Sequence, residues 1–312
     1  MLDEKNGAIN GVFSCNLVSV LIITRNRSEE LFDTISNIQQ QSYANIELIV
    51  LENGSDSQVV EHNKRRIQEY GNIHYVVLSE NKGVSGGRNV ALSQARGKYI
   101  VEVDDDAIFE YVDSIEKVVE FFERHPLVGI QAFKITNFFS KQIVPQEYPF
   151  RDKNRDPLLP GPCTWFIGAG HAFRRDMIGA IGTYRDFFPW GSEEQDLSMR
   201  ALENDFEIYY NPRISILHKK SPKARIRNQS EFASIALKNR VKVAMLNLPI
   251  LNVFSFFLIR GTQLSLRYKD ISIPLRSLIL LFKDMTYIRM NRKVLSRKTL
   301  RKMSELKGQL YF

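Results

Sequence analysis

The sequence predicts an α/β fold: a mostly parallel sheet flanked by helices, followed by a C-terminal helical extension. Three observations carry that prediction. Apolar runs of strand length alternate with helix-spaced patterns from residue 17 to residue 106. The run Tyr99-Ile100-Val101-Glu102-Val103 ends abruptly in Asp104, Asp105 and Asp106. Past residue 219 the alternation stops and the charge changes sign.

The chain has 312 residues, 44% of them hydrophobic and 25% charged, which is a globular and not a disordered composition. Residues 1–218 carry 22 Lys and Arg against 31 Asp and Glu, whereas residues 219–312 carry 21 against 4. An acidic body with a basic extension implies two tasks and an anionic partner for the second. Cys15 and Cys163 offer neither a disulfide framework nor zinc-ligand spacing, which suits a reducing, cytoplasmic compartment. The start, Met1-Leu2-Asp3-Glu4-Lys5, lacks a secretory pattern.

Residues 1–16 carry no pattern and are expected to fray. Residues 17–24 form a near-continuous apolar run, hence a buried strand. Arg25-Asn26-Arg27 is a turn, Ser28 is placed to cap a helix, and Glu29 and Glu30 suit its first turn. Leu31, Ile35 and Ile38 share one face of that helix. A second strand over 46–51 ends in Glu52-Asn53-Gly54-Ser55-Asp56. A polar helix then covers about 57–70, and 73–78 is a third strand. The glycine-bearing segment 80–89 leads into a helix that Gly97 stops. Right-handed crossovers place the carboxyl ends of all these strands on one rim. Thr24, Glu52, Asn53, residues 83–88 and Asp104 to Asp106 therefore converge there, where open α/β sheets bind ligands.

Oxygen ligands at such a rim suit a hard divalent cation. Gly83-x-x-Gly86-Gly87 is neither the dinucleotide pattern nor a Walker loop, so a dehydrogenase or P-loop enzyme is disfavoured. Its glycines are expected to allow a tight turn bringing Arg88 and backbone N–H groups near phosphate. A helix over about 112–124, a strand over 128–135, an irregular proline-bearing stretch over 136–162 and a strand over 165–173 follow. After the aromatic turn Phe187-Phe188-Pro189-Trp190-Gly191, Ser192 and Gln195 have capping-box spacing. Glu193, Glu194 and Asp196 then either favour the helix dipole or carry chemistry. Strands over 206–210 and 214–217 lead into His218, a structural histidine or a ligand.

In the extension, the 17 residues 243–259 are uncharged, short of the roughly 20 needed to span a bilayer. They read as a helix lying in a membrane surface or packed on the body. A second amphipathic segment over 273–288 and a strongly basic end over 289–307 follow.

Taken together, Ile23-Thr24-Arg25-Asn26-Arg27, Glu52-Asn53-Gly54-Ser55, Asn81-Lys82-Gly83 with Arg88-Asn89, Asp104-Asp105-Asp106, Gly182 with Phe187-Phe188, Glu193-Glu194-Gln195-Asp196-Leu197 with Arg200, and His218 resemble family 2 glycosyltransferases of the GT-A fold. The likeness covers roughly 17–220; the extension, 221–312, is similar to those of bacterial rhamnosyltransferase-type members. It implies a Rossmann-like nucleotide-binding half, an inverting transfer, and Mn²⁺ or Mg²⁺ as cofactor. It implies a UDP-, dTDP- or GDP-linked sugar as donor and a saccharide or lipid-linked acceptor in cell-surface glycan synthesis. By the resemblance Thr24, Glu52 and Asn53 lie against base and ribose, and Asp104 approaches the ribose. Arg25, Asn26, Arg27, Lys82, Gly83, Arg88 and Asp105 complete the donor set. Asp106 binds the metal, with His218 beside it. Glu194 stands where the family has a catalytic aspartate, between Glu193 and Asp196. A positioned carboxylate suits this reaction because a sugar hydroxyl is a poor nucleophile. The extension is expected to dock on an anionic membrane face, and it carries no recognisable nucleic-acid module. A nucleotidyltransferase would show a more basic loop after the first strand than Arg25 and Arg27 supply.

Overall fold

A computed structural model describes residues 16–152, 154–220 and 229–308, so the expectation for the N-terminal stretch falls outside the described residues except at Asn16. The apolar runs form strands β1 (Val18–Thr24), β2 (Ile46–Asn53), β3 (Ile73–Leu78) and β4 (Tyr99–Val103). Between them lie helices α1 (Ser28–Gln39), α2 (Ser57–Ile67) and α3 (Gly83–Gln94). All pairings among these four strands are parallel, with β1 central and Thr24 opposite Glu52.

The other half of the sheet is mixed. It contains β5 (Ala107–Phe109), β6 (Val128–Asn137), β7 (Gly161–Cys163), β8 (Gly170–Arg174) and β9 (Glu207–His218). Helices α4 (Ser114–Arg124), α5 (Arg175–Ile181) and α6 (Glu193–Glu203) belong to this half. The sheet order is β3-β2-β1-β4-β8-β6-β9-β5, with β7 on β9. Because β8 is antiparallel to both β4 and β6, while β6 and β9 are parallel, β9 points the same way as β4. Its carboxyl end, His218, therefore reaches the rim that carries the three aspartates.

Two apolar layers cover the sheet. Val20, Ile22 and Val101 pack with Leu31, Ile35, Val118 and Phe122 on one face. Leu21, Leu51 and Phe173 pack with Leu92, Leu197 and Phe188 on the other. The extension joins the second layer. Its helices α7 (Gln229–Asn247), α8 (Ile250–Tyr268), α9 (Ile273–Phe282), α10 (Met285–Asn291) and α11 (Arg297–Glu305) bury Leu237, Val241, Phe256, Ile273, Leu281 and Met303 there.

Several local expectations are corrected. The strands expected over 206–210 and 214–217 are one strand, β9, whose register on β6 skips between Asn211 and Ser215. Pro212, which has no N–H for the ladder, lies in that gap. The strand expected over 165–173 begins only at Gly170. The acidic strand ends at Val103, and Ala107 starts a separate strand on β9, which leaves Asp104 to Asp106 in the link between the two. Ser28 is the first helical residue and not a cap, whereas Ser192 holds the N-cap position as expected but with a left-handed φ of 79° and no side-chain cap bond.

Candidate active site

A cleft of about 960 Å³ opens over the rim. Thr24, Arg25, Arg27, Asn53, Gly83, Arg88, Asp104, Asp105, Asp106 and His218 line it, so ten of the residues marked by sequence are brought together.

The three aspartates divide their work. Asp105 turns inward, where Thr24 Oγ1 donates to it at 2.7 Å and Arg27 Nη1 at 2.6 Å. Burial pushes its carboxyl up to about 7, against the pull of Arg27. Arg27 also reaches Asp106 at 3.1 Å. Asp104, Asp106 and His218 each offer a ligand atom, all within 4.8 Å of one another. Two carboxylates and an imidazole form a donor set that suits a divalent ion such as Mn²⁺. His218 Nε2 lies 3.3 Å from Asp106, and Nδ1 lies 2.8 Å from Glu147. Burial alone would lower this imidazole, but the bonds to Asp106 and Glu147 raise it to about 10. Glu147 comes from the irregular stretch after β6, which thereby orients a site histidine.

Arg88 is the second centre. Its side chain is 5% exposed and lies 3.4 to 3.5 Å from Glu102, Asp104, Glu193 and Glu194. One guanidinium at the cleft wall faces four carboxylates. Burial and the neighbouring Glu194 push Glu193 up to about 8, against the pull of Arg88. Glu194 remains partly open, with 18% of its side chain exposed. A Cβ at Gly168 would collide with the Glu194 carboxylate and come within 2.8 Å of Arg88, so the bare backbone there leaves room for both side chains.

The glycines near 83 act differently from expectation. Gly86 and Gly87 lie inside α3, and Gly87 packs against the Asn53 amide and Ile23. Only Gly83 needs its positive φ of 72°, and a Cβ there would meet the Pro189 backbone at 2.7 Å. The Val84 N–H donates to Pro189 O at 2.7 Å and is therefore already satisfied by protein.

Four marked residues serve the frame. Glu52 is fully buried, accepting from Asn63 at 2.8 Å, Tyr75 at 2.9 Å and Ser55. Asn26 ties the first turn to the Ser55 hydroxyl and the Asp56 N–H. Lys82 is exposed, and its N–H donates to Asn53 Oδ1 at 3.0 Å. Asp196 is buried away from the cleft, accepting from Arg185 at 2.8 Å, Arg200 at 3.0 Å and Asn247 at 3.1 Å. Conversely, Trp190, Lys220, Gln229, Phe232, Arg267 and Tyr268 line the cleft without having been singled out for it, as does Asn81, which was marked only as part of the Asn81-Lys82-Gly83 motif. Trp190 sits in the aromatic turn, a visible signal; the α7 and α8 residues carried none.

The family model of glycosyl transferase family 2 matches residues 19–182, more than half of the chain. The chain belongs to that family. An uncharacterized protein of Haemophilus influenzae is 31% identical over 175 residues, 54% of this chain and 92% of the relative. An uncharacterized glycosyltransferase of the same organism is 28% identical over 176 residues, and there the chain spans 54% of the relative. The putative teichuronic acid biosynthesis glycosyltransferase TuaG of Bacillus subtilis is 32% identical over 109 residues, 34% of this chain and 41% of its own length. Among solved structures, the mannosyltransferase PcManGT from Pyrobaculum calidifontis, in complex with GDP-Man and Mn²⁺, superposes at a TM-score of 0.60. That match covers 95% of this chain and 85% of the other at 15% identity. S. aureus TarS 1-349 with UDP-GlcNAc superposes at 0.55 and 18% identity, covering 79% and 73%. At these identities the structures speak for a common fold, the GT-A architecture of this family 2 glycosyltransferase.

Proposed function

We propose that the chain is an inverting, metal-dependent transferase that moves a hexosyl group, rhamnosyl included, from a nucleoside diphosphate sugar to a hydroxyl of a saccharide or lipid-linked acceptor. The observation that carries this is a two-carboxylate, one-imidazole donor set in a cleft whose wall includes Arg88, the arginine that holds Glu194 at 3.5 Å. Thr24, Arg25, Asn53 and Asn81, at the ends of β1 to β3, provide the nucleotide side. Asp104, Asp106 and His218 would hold the metal, which when bound supplies charge neutralisation to the departing diphosphate. Glu147 keeps the His218 ring in place.

Glu194 takes the acceptor's proton as the hydroxyl attacks the anomeric carbon on the face opposite the leaving group. Arg88 fixes that carboxylate, with Glu193 at 3.4 Å on the same guanidinium. Single displacement inverts the anomeric centre and needs one base only. Glu193 and Asp196 act by positioning.

The extension supports membrane docking on the inner face of the cell membrane. Leu251, Phe254 and Leu258 on α8, with Leu275, Ile279 and Phe282 on α9, stand exposed. Exposed Lys269 and Lys283 directly follow these two helices, and exposed Arg289 lies in α10. No helix among the described residues is long and apolar enough to cross a membrane.

The test is release of nucleotide from a panel of UDP-, dTDP- and GDP-sugars with Mn²⁺ or Mg²⁺. Turnover should appear with one donor class, vanish with EDTA, and fall about 10²–10⁴-fold in Glu194→Gln while donor affinity holds. Turnover that survives EDTA, or a Glu194→Gln enzyme of full activity, would refute the assignment.

A further inference from the structure

The extension does more than cover the sheet, because it forms part of the cleft. Gln229 and Phe232 of α7 and Arg267 and Tyr268 of α8 line it beside Trp190. Of these two helices α7 is anchored on α6, the helix that carries Glu194, where Asn247 donates to Asp196 at 3.1 Å, and α8 packs on α7. The nucleotide-side residues Thr24, Asn53 and Asn81 lie instead at the ends of β1 to β3.

The turn carrying Trp190 is clamped from the same side. Lys242, almost fully buried, donates to Phe187 O at 3.0 Å, stands 3.8 Å over the Phe187 ring and pairs with Asp284 at 2.7 Å. Tyr287 stacks on Phe187 at 3.5 Å, and Phe232 packs on Trp190 at 4.6 Å. Rigid aromatic faces presented at an opening suit the apolar face of a sugar ring.

Charge distinguishes this wall further. Lys220 is paired with Glu147 at 3.3 Å, whereas Arg267 makes no ion pair among the described residues. The extension's acids Asp270 and Asp284 are engaged by Arg276 and by Lys238 with Lys242. Arg267 lines the cleft with its guanidinium 5.6 Å from the Tyr268 ring centroid, and an arginine at a cleft wall suits phosphate or carboxylate.

We propose that this wall is the acceptor subsite and that it takes a saccharide bearing a negative charge beside the accepting ring, with Trp190, Phe232 and Tyr268 against the ring and Arg267 on the charge. The inference rests on the nucleotide-sugar reading of the cleft.

The test uses the full chain carrying Trp165→Phe, so that Trp190 alone fluoresces, saturated with UDP or GDP and Mn²⁺ to block the donor side. Glucose 1-phosphate, glucuronate and glucose are then titrated, the first two separating phosphate from carboxylate recognition. One charged sugar should quench Trp190 at a concentration about fivefold below glucose, the upper range for an ion pair open to water. Arg267→Ala should erase that preference, and Phe232→Ala should weaken all three sugars, with nucleotide affinity unchanged in both. Equal response to charged and neutral sugars, no response to any, or a loss of nucleotide affinity in Arg267→Ala would overturn the subsite alone. Failure of every nucleoside diphosphate to bind, read before sugar is added, would overturn the nucleotide reading and this proposal with it.

Discussion

At the scale of single residues, the site turns on Arg88. A guanidinium cannot give up its proton, so its charge is permanent, yet four carboxylates converge on it. Among these acids Glu193 has its affinity for a proton raised, by burial first and by the neighbouring Glu194 second, against the pull of Arg88. The consequence for stability has a definite sign. Glu193 binds its proton more tightly folded than unfolded, so stability from this group is fully present below pH 4.5 and is lost as pH rises to about 8. Thermal midpoints measured from pH 4.5 to 8 should therefore fall more steeply in the native chain than in Glu193→Gln, with the two curves parallel above that window. Identical slopes would mean that Glu193 titrates normally.

At the scale of elements, α6 shows how one helix serves packing and chemistry from different faces. Glu194 lies toward Arg88, while Asp196, two residues on, joins Arg200 one turn further along α6 to Arg185 and Asn247 of two other segments. Arg200 extends the tie by donating to the carbonyls of Ile181 and Thr183. Asp196→Asn should thus cost about 3 kcal/mol, the low end for breaking a buried pair because both arginines partly reach water. Denaturant unfolding measures that loss, and turnover of the folded enzyme should stay near native. Turnover abolished with stability intact would instead make Asp196 the base.

At the scale of the whole molecule, the extension has two faces. The inner one shares an apolar layer with Leu197 and Phe188, so the extension is built into the core and its removal would open that layer to water. The outer face exposes Phe254 at 63%, Leu258 at 64% and Phe282 at 80%, and such exposed apolar area marks an interaction surface. Flotation with liposomes tests the membrane as its partner. The full chain should float with anionic and not neutral vesicles, release as salt rises, and stay in the soluble fraction when Phe254→Glu and Leu258→Glu are combined. Because both side chains face solvent, folding should survive; equal flotation of the variant would exclude this face.

By itself, the sequence determined the alternation that builds β1 to β4, the rim that gathers Thr24, Asn53 and the aspartates, and the basic extension. These follow from periodicity and strand ends, which are local and need no knowledge of neighbours. It also marked Glu193, Glu194 and Asp196 together, without separating their tasks. Tertiary structure alone gave Glu194 and Asp196 different partners, since residues two apart point to opposite faces of a helix. It likewise decided that Arg88 faces acids and that Glu52 is enclosed by Asn63, Tyr75 and Ser55. It placed Arg267 and Tyr268 in a cleft built some 160 residues earlier in the chain. Burial and charge balance are properties of the assembled neighbourhood, and contacts across such separations leave no periodic trace in the chain that makes them.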